Sequence, residues 1–192
     1  MNRLRLFIIL YLLGGIFICA KAYDFCFENS DGIPIYYNDV SINEFLPEVE
    51  VAYTSSRYTG ELTIPEKVGN YTVIGIGERA FDHHDGLVTI NLPNTLQYIG
   101  SYAFRDCFSL ENVNMNEKLT EIRYQSFYRC IGLKNVHITA SIVGNNAFDY
   151  CTNLKEVVFS NNVNDVGSWA FNDSKNIKTI VFEEGKGEVY LG

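Results

Sequence analysis

The chain has 192 residues, 47% of them hydrophobic, and a formal net charge of −8. Its Lys and Arg are scattered rather than gathered into a stripe, which argues against nucleic acid, whose phosphate backbone needs a basic surface. Three of these cations, Arg3, Arg5 and Lys21, lie in the opening segment, so loss of that segment makes the remainder more acidic still.

Residues 1–22 read as a secretory signal peptide. Arg3 and Arg5 precede an apolar run from Leu6 to Ile18, and Ala20-Lys21-Ala22 sets small residues at the two positions a signal peptidase reads. The apolar core is too short for a comfortable membrane span, so cleavage before Tyr23, export, and no stable span afterwards are expected. The alternatives are retention as an anchor and lipid attachment through Cys19, but Cys19 follows Ile18 where lipidation calls for a small residue.

Residues 23–57 obey different rules from the rest. Asp31-Gly32 is a turn signal with Phe25 and Phe27 on one side and Ile33, Ile35 and Tyr37 on the other at period two, the pattern of a β-hairpin. Glu50-Val51-Ala52-Tyr53 offers a further strand, and Tyr58 to Pro65 leads onward through Leu62 and Ile64. The expected role of this piece is to cover the open end of the repeat array that begins at residue 58; an aromatic pocket is the alternative.

From residue 58 to 182 one unit recurs. Ala80-Phe81, Ala103-Phe104, Ser126-Phe127, Ala147-Phe148 and Ala170-Phe171 are separated by 23, 23, 21 and 23 residues. Three residues after each Phe stand His84, Cys107, Cys130, Cys151 and Ser174; three further on come Leu87, Leu110, Leu133, Leu154 and Ile177. Next come Ile90, Val113, Val136, Val157 and Ile180, then Leu92, Met115, Ile138, Phe159 and Phe182. Spacings of three and then two suit a short strand after a turn, with the last two side chains on one face. Leu96 with Ile99, Leu119 with Ile122, Ile142 with Val143, and Val163 with Val166 anchor the return of each coil. The expected fold is therefore a mainly β solenoid of about five 21–23-residue coils with a parallel sheet behind a β-hairpin cap. Phe81, Phe104, Phe127, Phe148 and Phe171, with Cys107, Cys130 and Cys151, are its expected structural core. Those three cysteines share one repeat position with His84 and Ser174, so a ladder of free buried thiols is predicted rather than a disulfide scaffold.

Residues 183–192 form a short tail in which Val189, Tyr190 and Leu191 supply the apolar material. Such a tail leaves the last coil thinly covered, so a monomer or a weak end-to-end dimer is expected.

Leu87-Val88-Thr89-Ile90-Asn91-Leu92-Pro93, followed by Leu96, Ile99-Gly100, Ala103-Phe104 and Cys107, resembles the bacterial leucine-rich repeat of the BspA-like surface antigens, the leucine-rich repeat 5 family. Gly32-Ile33-Pro34-Ile35-Tyr36, and Tyr58-Thr59-Gly60 before Leu62-Thr63-Ile64-Pro65, are similar to the lead-in of exported Bacteroides-type members. The resemblance implies a curved solenoid, secreted or displayed at the cell surface, with adhesion in some members and no enzyme activity. The unit from Phe127 to Phe148 departs from the pattern, as do the shortness of the array and the lack of a sorting tail.

The variable strand positions, Thr89 and Asn91, Asn112 and Asn114, Asn135 and His137, Glu156 and Val158, and Thr179 and Val181, form the candidate interaction face for an extracellular protein or glycan. A solvated, ligand-free face in a purely structural protein is the alternative, because no aromatic platform accompanies these amides. Catalytic, cofactor and metal sites are not expected. Asp82-His83-His84-Asp85 is the densest ligand-like run, but His84 occupies the buried Cys position and the others its turn. An enzyme would need a polar pocket between cap and array, using His83 or Asp82. His137 has no Ser or Cys in its column to activate. Gly75-Ile76-Gly77 lacks the following helix that a nucleotide loop requires. Asn70-Tyr71-Thr72 and Asn172-Asp173-Ser174 match glycosylation acceptors, which matter only in a eukaryotic secretory host.

Overall fold

A computed structural model of the chain describes residues 23–43, 45–183 and 190–191. The predicted signal at 1–22 lies outside the described residues. Phe25–Glu28 (β1) and Pro34–Asp39 (β2) make the expected hairpin, with Phe25 opposite Tyr37 and Phe27 opposite Ile35. Its turn is built by Asn29, whose Oδ1 accepts the backbone N–H of Asp31 and of Ile33 at 2.9 Å each. Gly32 completes it at φ 74°, a left-handed value that glycine adopts without steric cost. Glu48–Val51 (β3) runs back antiparallel along β2, beginning two residues before the expected Glu50 and ending short of Tyr53.

Gly60–Thr63 (β4), Lys67–Val68 (β5) and Tyr71–Ile76 (β6) come next. Strand β3 pairs with β6 in parallel, which converts the antiparallel cap into a parallel stack and covers the first coil. Each later coil then adds two strands. These are Leu87–Asn91 (β7) with Tyr98–Ile99 (β8), Asn112–Asn114 (β9) with Glu121–Ile122 (β10), and Asn135–Ile138 (β11) with Ile142–Val143 (β12). Glu156–Phe159 (β13) with Asp165–Val166 (β14), and Thr179–Phe182 (β15) with Tyr190–Leu191 (β16), complete the series.

The longer member of each pair is the expected Leu-x-x-Ile-x-Leu strand. These pair in parallel as two three-stranded sheets, β4-β7-β9 and β11-β13-β15. The short return strands join the cap in a ten-stranded sheet, ordered β1-β2-β3-β6-β8-β10-β12-β14-β16 with β5 beside β6. The protein is thus a mainly β solenoid of about six parallel-sheet turns behind a β-hairpin cap, with a second β face where only returning anchors were expected. Tyr190–Leu191, read as tail in the sequence, extend that second face beyond β14.

Stacked aromatics run through the core. Phe81, Phe104, Phe127 and Phe148 are fully buried, and successive ring centroids lie 5.1, 5.0 and 4.9 Å apart with planes within 12°. Phe171 continues the stack at 5.3 Å but is only partly buried, because no further ring lies beyond it among the described residues. Beside the rings, Cys107, Cys130 and Cys151 are buried and free, and they do more than fill space. Each thiol donates across to the preceding coil: Cys107 to Phe81 O, Cys130 to Phe104 O, both at 3.0 Å, and Cys151 to Phe127 O at 3.2 Å. Ser174 makes the same bond to Phe148 O at 2.8 Å, which explains why serine can hold a cysteine position. Burial pushes the Cys107 thiol up to about 12, and those of Cys130 and Cys151 well above the usual thiol range.

The short coil repacks in a way that differs from expectation. Ile142 and Val143 are adjacent strand residues and point to opposite sides, so Val143 is buried while Ile142 is exposed. The core place that Leu119 fills one coil earlier is taken by Ala140, which is fully buried.

Candidate functional site

The solenoid offers two surfaces, the outward face of the longer strands and the edge formed by the Phe turns. On the strand face, Asn112, Asn114, Asn135, His137, Thr179 and Val181 are exposed, whereas Thr89, Asn91, Glu156 and Val158 are half-buried. Register sets them in rungs: Thr89 beside Asn112, Asn91 beside Asn114, Asn135 beside Glu156, and His137 beside Val158. The two sheets meet between Asn114 and His137, so the face comes as two panels. Within the first panel the amides satisfy one another. Asn114 Nδ2 donates to Asn91 Oδ1 at 2.8 Å, and Asn91 Nδ2 donates to Glu61 Oε1 at 2.7 Å. Asn112 Nδ2 reaches Thr89 Oγ1 at 3.2 Å. In the second panel His137 Nε2 lies 3.2 Å from Glu183 Oε1. Such a surface offers shape and spare hydrogen-bonding capacity.

The turn edge was not singled out from the sequence. Each turn carries two non-glycine residues at positive φ, two positions before and two after the Phe: Arg79 and His83, Tyr102 and Asp106, Gln125 and Arg129, Asn146 and Tyr150, Trp169 and Asp173. Non-glycine residues are uncommon there, and the strain is offset because the turn backbones hydrogen-bond from coil to coil. Phe81, Phe104, Phe127 and Phe148 donate their N–H to the residue before the next Phe, at 2.7–2.8 Å. The side chains so displayed form a lattice of charges and rings. Arg105 forks onto Asp82 at 2.8 and 2.6 Å, and Arg79 approaches the same carboxylate at 3.7 Å. The Arg79 and Arg105 guanidiniums lie 4.9 and 5.1 Å from the Tyr102 ring centroid, which packs edge-on against Tyr124. Arg129 Nη1 lies 2.8 Å from Asp106 Oδ1, a Coulombic contact, since that oxygen makes no hydrogen bond of good geometry.

Asp82, His83 and Asp106 bring ligand atoms within 4.8 Å of one another, a different trio from the contiguous run in the sequence. His84 is withdrawn from it, fully buried and stacked on Tyr58 at 5.3 Å with Nδ1 against Asp82 O. Burial pulls its imidazole below the usual range. The trio's chemistry opposes a cation. Three guanidiniums already serve its two carboxylates, and a divalent ion would have to displace the fork of Arg105 from Asp82. The same contacts occupy Asp82, one of the two residues an enzyme between cap and array would use, while His83 is exposed with its ring nitrogens 3.7 Å from Asp82 and Asp106. At that junction Arg57 Nη1 donates to the carbonyls of Asp82 and His83 at 3.0 and 2.6 Å.

Gly75 and Gly77 owe their identity to close packing. A Cβ on Gly75 would lie 2.2 Å from the Tyr98 ring, and one on Gly77 2.6 Å from Val51 O. Tyr98 crosses Gly75 to donate its hydroxyl to Glu50 at 2.8 Å. An open hollow of about 420 Å³ beside that sheet is floored by Thr72, Ile74, Thr95 and Gln97 and walled by Phe45 and Lys118. No helix of the described residues is long and apolar enough to cross a membrane.

The BspA-type leucine-rich repeat region matches residues 74–190 as six copies. No curated protein matches the chain. Among solved structures the chain is similar to the T. pallidum leucine-rich repeat protein, with 24% identity and a TM-score of 0.67 over 76% of this chain and 67% of that one. It is similar to a leucine-rich cell surface protein from Faecalibacterium prausnitzii, with 22% identity and a TM-score of 0.66 over 78% of this chain and 38% of that one. A leucine-rich repeat protein from Bacteroides ovatus shares 20% identity, with a TM-score of 0.51 over 76% of this chain and 51% of that one. This chain therefore spans two thirds of the first relative and about half or less of the other two. The likeness runs across genera rather than to Bacteroides in particular. With six copies of the repeat over more than half its length, the chain belongs to the BspA-type leucine-rich repeat family.

Proposed function

We propose that the chain is a non-enzymatic module, exported to the cell surface or secreted, that binds an extracellular protein or glycan through its strand face. The observation that carries this reading is the row of Asn112, Asn114, Asn135 and His137, all exposed on the strand face. A continuous array of coils supports such a face rigidly, which lowers the ordering cost of binding. Export is supported by the charged, apolar and small-residue zones of residues 1–22 and by the name of the F. prausnitzii relative. In this reading residues 23–57 are the cap, 58–182 the array and 183–192 a short tail. The lead-in from Gly32 to Tyr36 keeps a Bacteroides-type origin in the proposal.

A structural protein without a ligand is the second reading. It is favoured by the internal bonding of Asn114, Asn91 and Glu61, which leaves fewer free amide groups for a partner. The two part on one experiment. The purified chain from Tyr23 to Gly192 is tested against arrayed matrix proteins and glycans, beside a double variant Asn114→Glu, His137→Glu. Saturable binding lost in the folded variant is the expected result. Binding that the variant retains would move the contact off this face, and silence with a folded chain would favour the structural reading.

A further inference from the structure

The loop between β2 and β3 holds its apolar side chains outward. Ile42, Phe45 and Leu46 are 90%, 93% and 65% exposed. The loop is nonetheless fixed from within. Asn43 Oδ1 accepts the backbone N–H of Phe45 and of Leu46 at 3.0 Å each, and Ser41 Oγ accepts the N–H of Glu48 at 2.8 Å while donating to its carbonyl at 3.2 Å. Thr72 N–H donates to Pro47 O at 2.9 Å, which ties the base of the loop to β6. An apolar projection held in this way loses little freedom when it is covered, so it is preorganised for a contact.

Phe45 and Leu46 wall one end of the 420 Å³ hollow, and Lys118 stands at the other. Register shows how the charges between them are set. Glu48 pairs with Thr72, and the parallel steps from β6 to β8 and from β8 to β10 carry that row on through Thr95 to Lys118. The row crosses four strands, so its ends lie about 14 Å apart at the usual strand spacing. An acid stands at the end walled by Phe45, a cation at the far end, and two threonines between them. Neither Glu48 nor Lys118 makes an ion pair among the described residues. Ile74, on the floor, is the apolar exception in its column, whose later members are Gln97, Thr120, Ser141 and Asn164.

We infer that this face is a contact between two copies of the chain, packed face to face about a two-fold axis that runs parallel to the strands and passes between Thr72 and Thr95. Such an axis reverses the row, so Glu48 of each copy meets Lys118 of the other, and two ion pairs form where the single chain has none. It also lays Phe45 and Leu46 of each copy over the hollow beside the other's Lys118, whose ammonium then faces the Phe45 ring. Projection, hollow and both charges belong to one patch, as an isologous contact requires. A bilayer taking up the loop would leave Glu48 and Lys118 apart and unpaired. The apolar area that three side chains offer, on the order of a few hundred Å² per copy, stands near the lower limit for a specific interface, so the dimer is weak. The contact lies on the second β face and is independent of the strand-face reading.

Sedimentation velocity of the chain from Tyr23 to Gly192, run between about 1 and 300 μM, should show a monomer–dimer equilibrium with a Kd of about 10–100 μM. Phe45→Ser removes a side chain that is 93% exposed, so the thermal melt of the dilute protein should not move while the dimer is lost. Lys118→Glu alone and Glu48→Lys alone should each weaken the dimer about tenfold, and the two together should return it to the parent value, because the exchange restores opposite charges across the axis. A monomer at every concentration, self-association that Phe45→Ser leaves unchanged, or a double reversal no better than its singles would overturn the proposal. Phe45-dependent binding to phosphatidylcholine vesicles by a chain that stays monomeric would overturn it in favour of a bilayer.

Discussion

Truncation of Phe127 should destabilise the protein far more than truncation of Phe171, although both occupy the same repeat position. Phe127 is fully buried between Phe104 and Phe148, with centroid distances of 5.0 and 4.9 Å and planes 5° and 6° apart. Phe127→Ala loses the transfer free energy of a buried ring and leaves a cavity that flanking coils cannot close, together about 3–5 kcal/mol. Both neighbours also lose a stacked partner, which places the cost toward the upper end. Phe171 is partly buried and stacks on Phe148 alone within the column, so Phe171→Ala should cost about 1–2 kcal/mol, scaled by the area it removes from water. For a chain of this size the interior loss corresponds to about 6–20 °C in Tm and the terminal loss to about 2–8 °C. Urea titration followed by far-UV circular dichroism measures both, read as ΔG only where the slope m is unchanged. Equal costs at the two sites would refute the argument that stability is the sum of interfaces between neighbouring coils.

Three further outcomes rest on particular contacts. Gly75→Ala should lower stability by about 1–3 kcal/mol, because the new Cβ meets the Tyr98 ring at 2.2 Å and drives its hydroxyl off Glu50; a thermal melt no different from that of the parent chain would contradict this. The thiols of Cys107, Cys130 and Cys151, buried and raised in pKa, should not react with a thiol reagent at pH 8 until the chain unfolds, and Cys130→Ser should retain the fold because Ser174 already makes the equivalent bond. His84 titrates below its ordinary 6.5 because burial disfavours the imidazolium, so the unfolded chain binds the proton first. Its contribution to stability is complete above about pH 6.5 and is lost progressively as pH falls through that value toward the lower folded pKa. His84→Cys, the residue found at that position in three later coils, should flatten the acid limb of the stability curve, and an unchanged limb would remove His84 as its cause.

The column of Phe and Cys was legible in the sequence because identical positions stack on identical positions, so the core repeats as the chain does. The hairpin was legible from Asp31-Gly32 between alternating apolar residues. The second β face was not, since strands such as Tyr98–Ile99 and Asp165–Val166 contain two residues, too few for alternation to register. Ile142 misled for the same reason: adjacent apolar residues look like two anchors, whereas a strand can bury only one of them on a given face. The turn edge escaped notice because its positions hold Arg, Tyr, Gln, Asn or Trp from coil to coil. What unites them is a left-handed backbone that glycine would have announced and these residues do not.

That contrast bears on where function should be sought in a stacked array. Positions that repeat faithfully, such as Phe127 and Cys130, are explained by their neighbours above and below and have little left to offer a ligand. Positions that depart from their counterparts while keeping the same backbone carry chemistry that the stack does not consume. The strand face makes the point in part, because Asn114 and Asn91 already bond along the ladder whereas Asn135 and His137 stand beside the half-buried Glu156 and Val158 of the next coil. The turn edge departs in charge while its backbone repeats. One end places arginines on an acid and a ring and closes the set, and the other keeps the acid and the ring but replaces the arginines by asparagines. The acid of the last turn stays as buried as that of the first, so the exchange replaces charge-assisted bonds by amide bonds around a covered carboxylate.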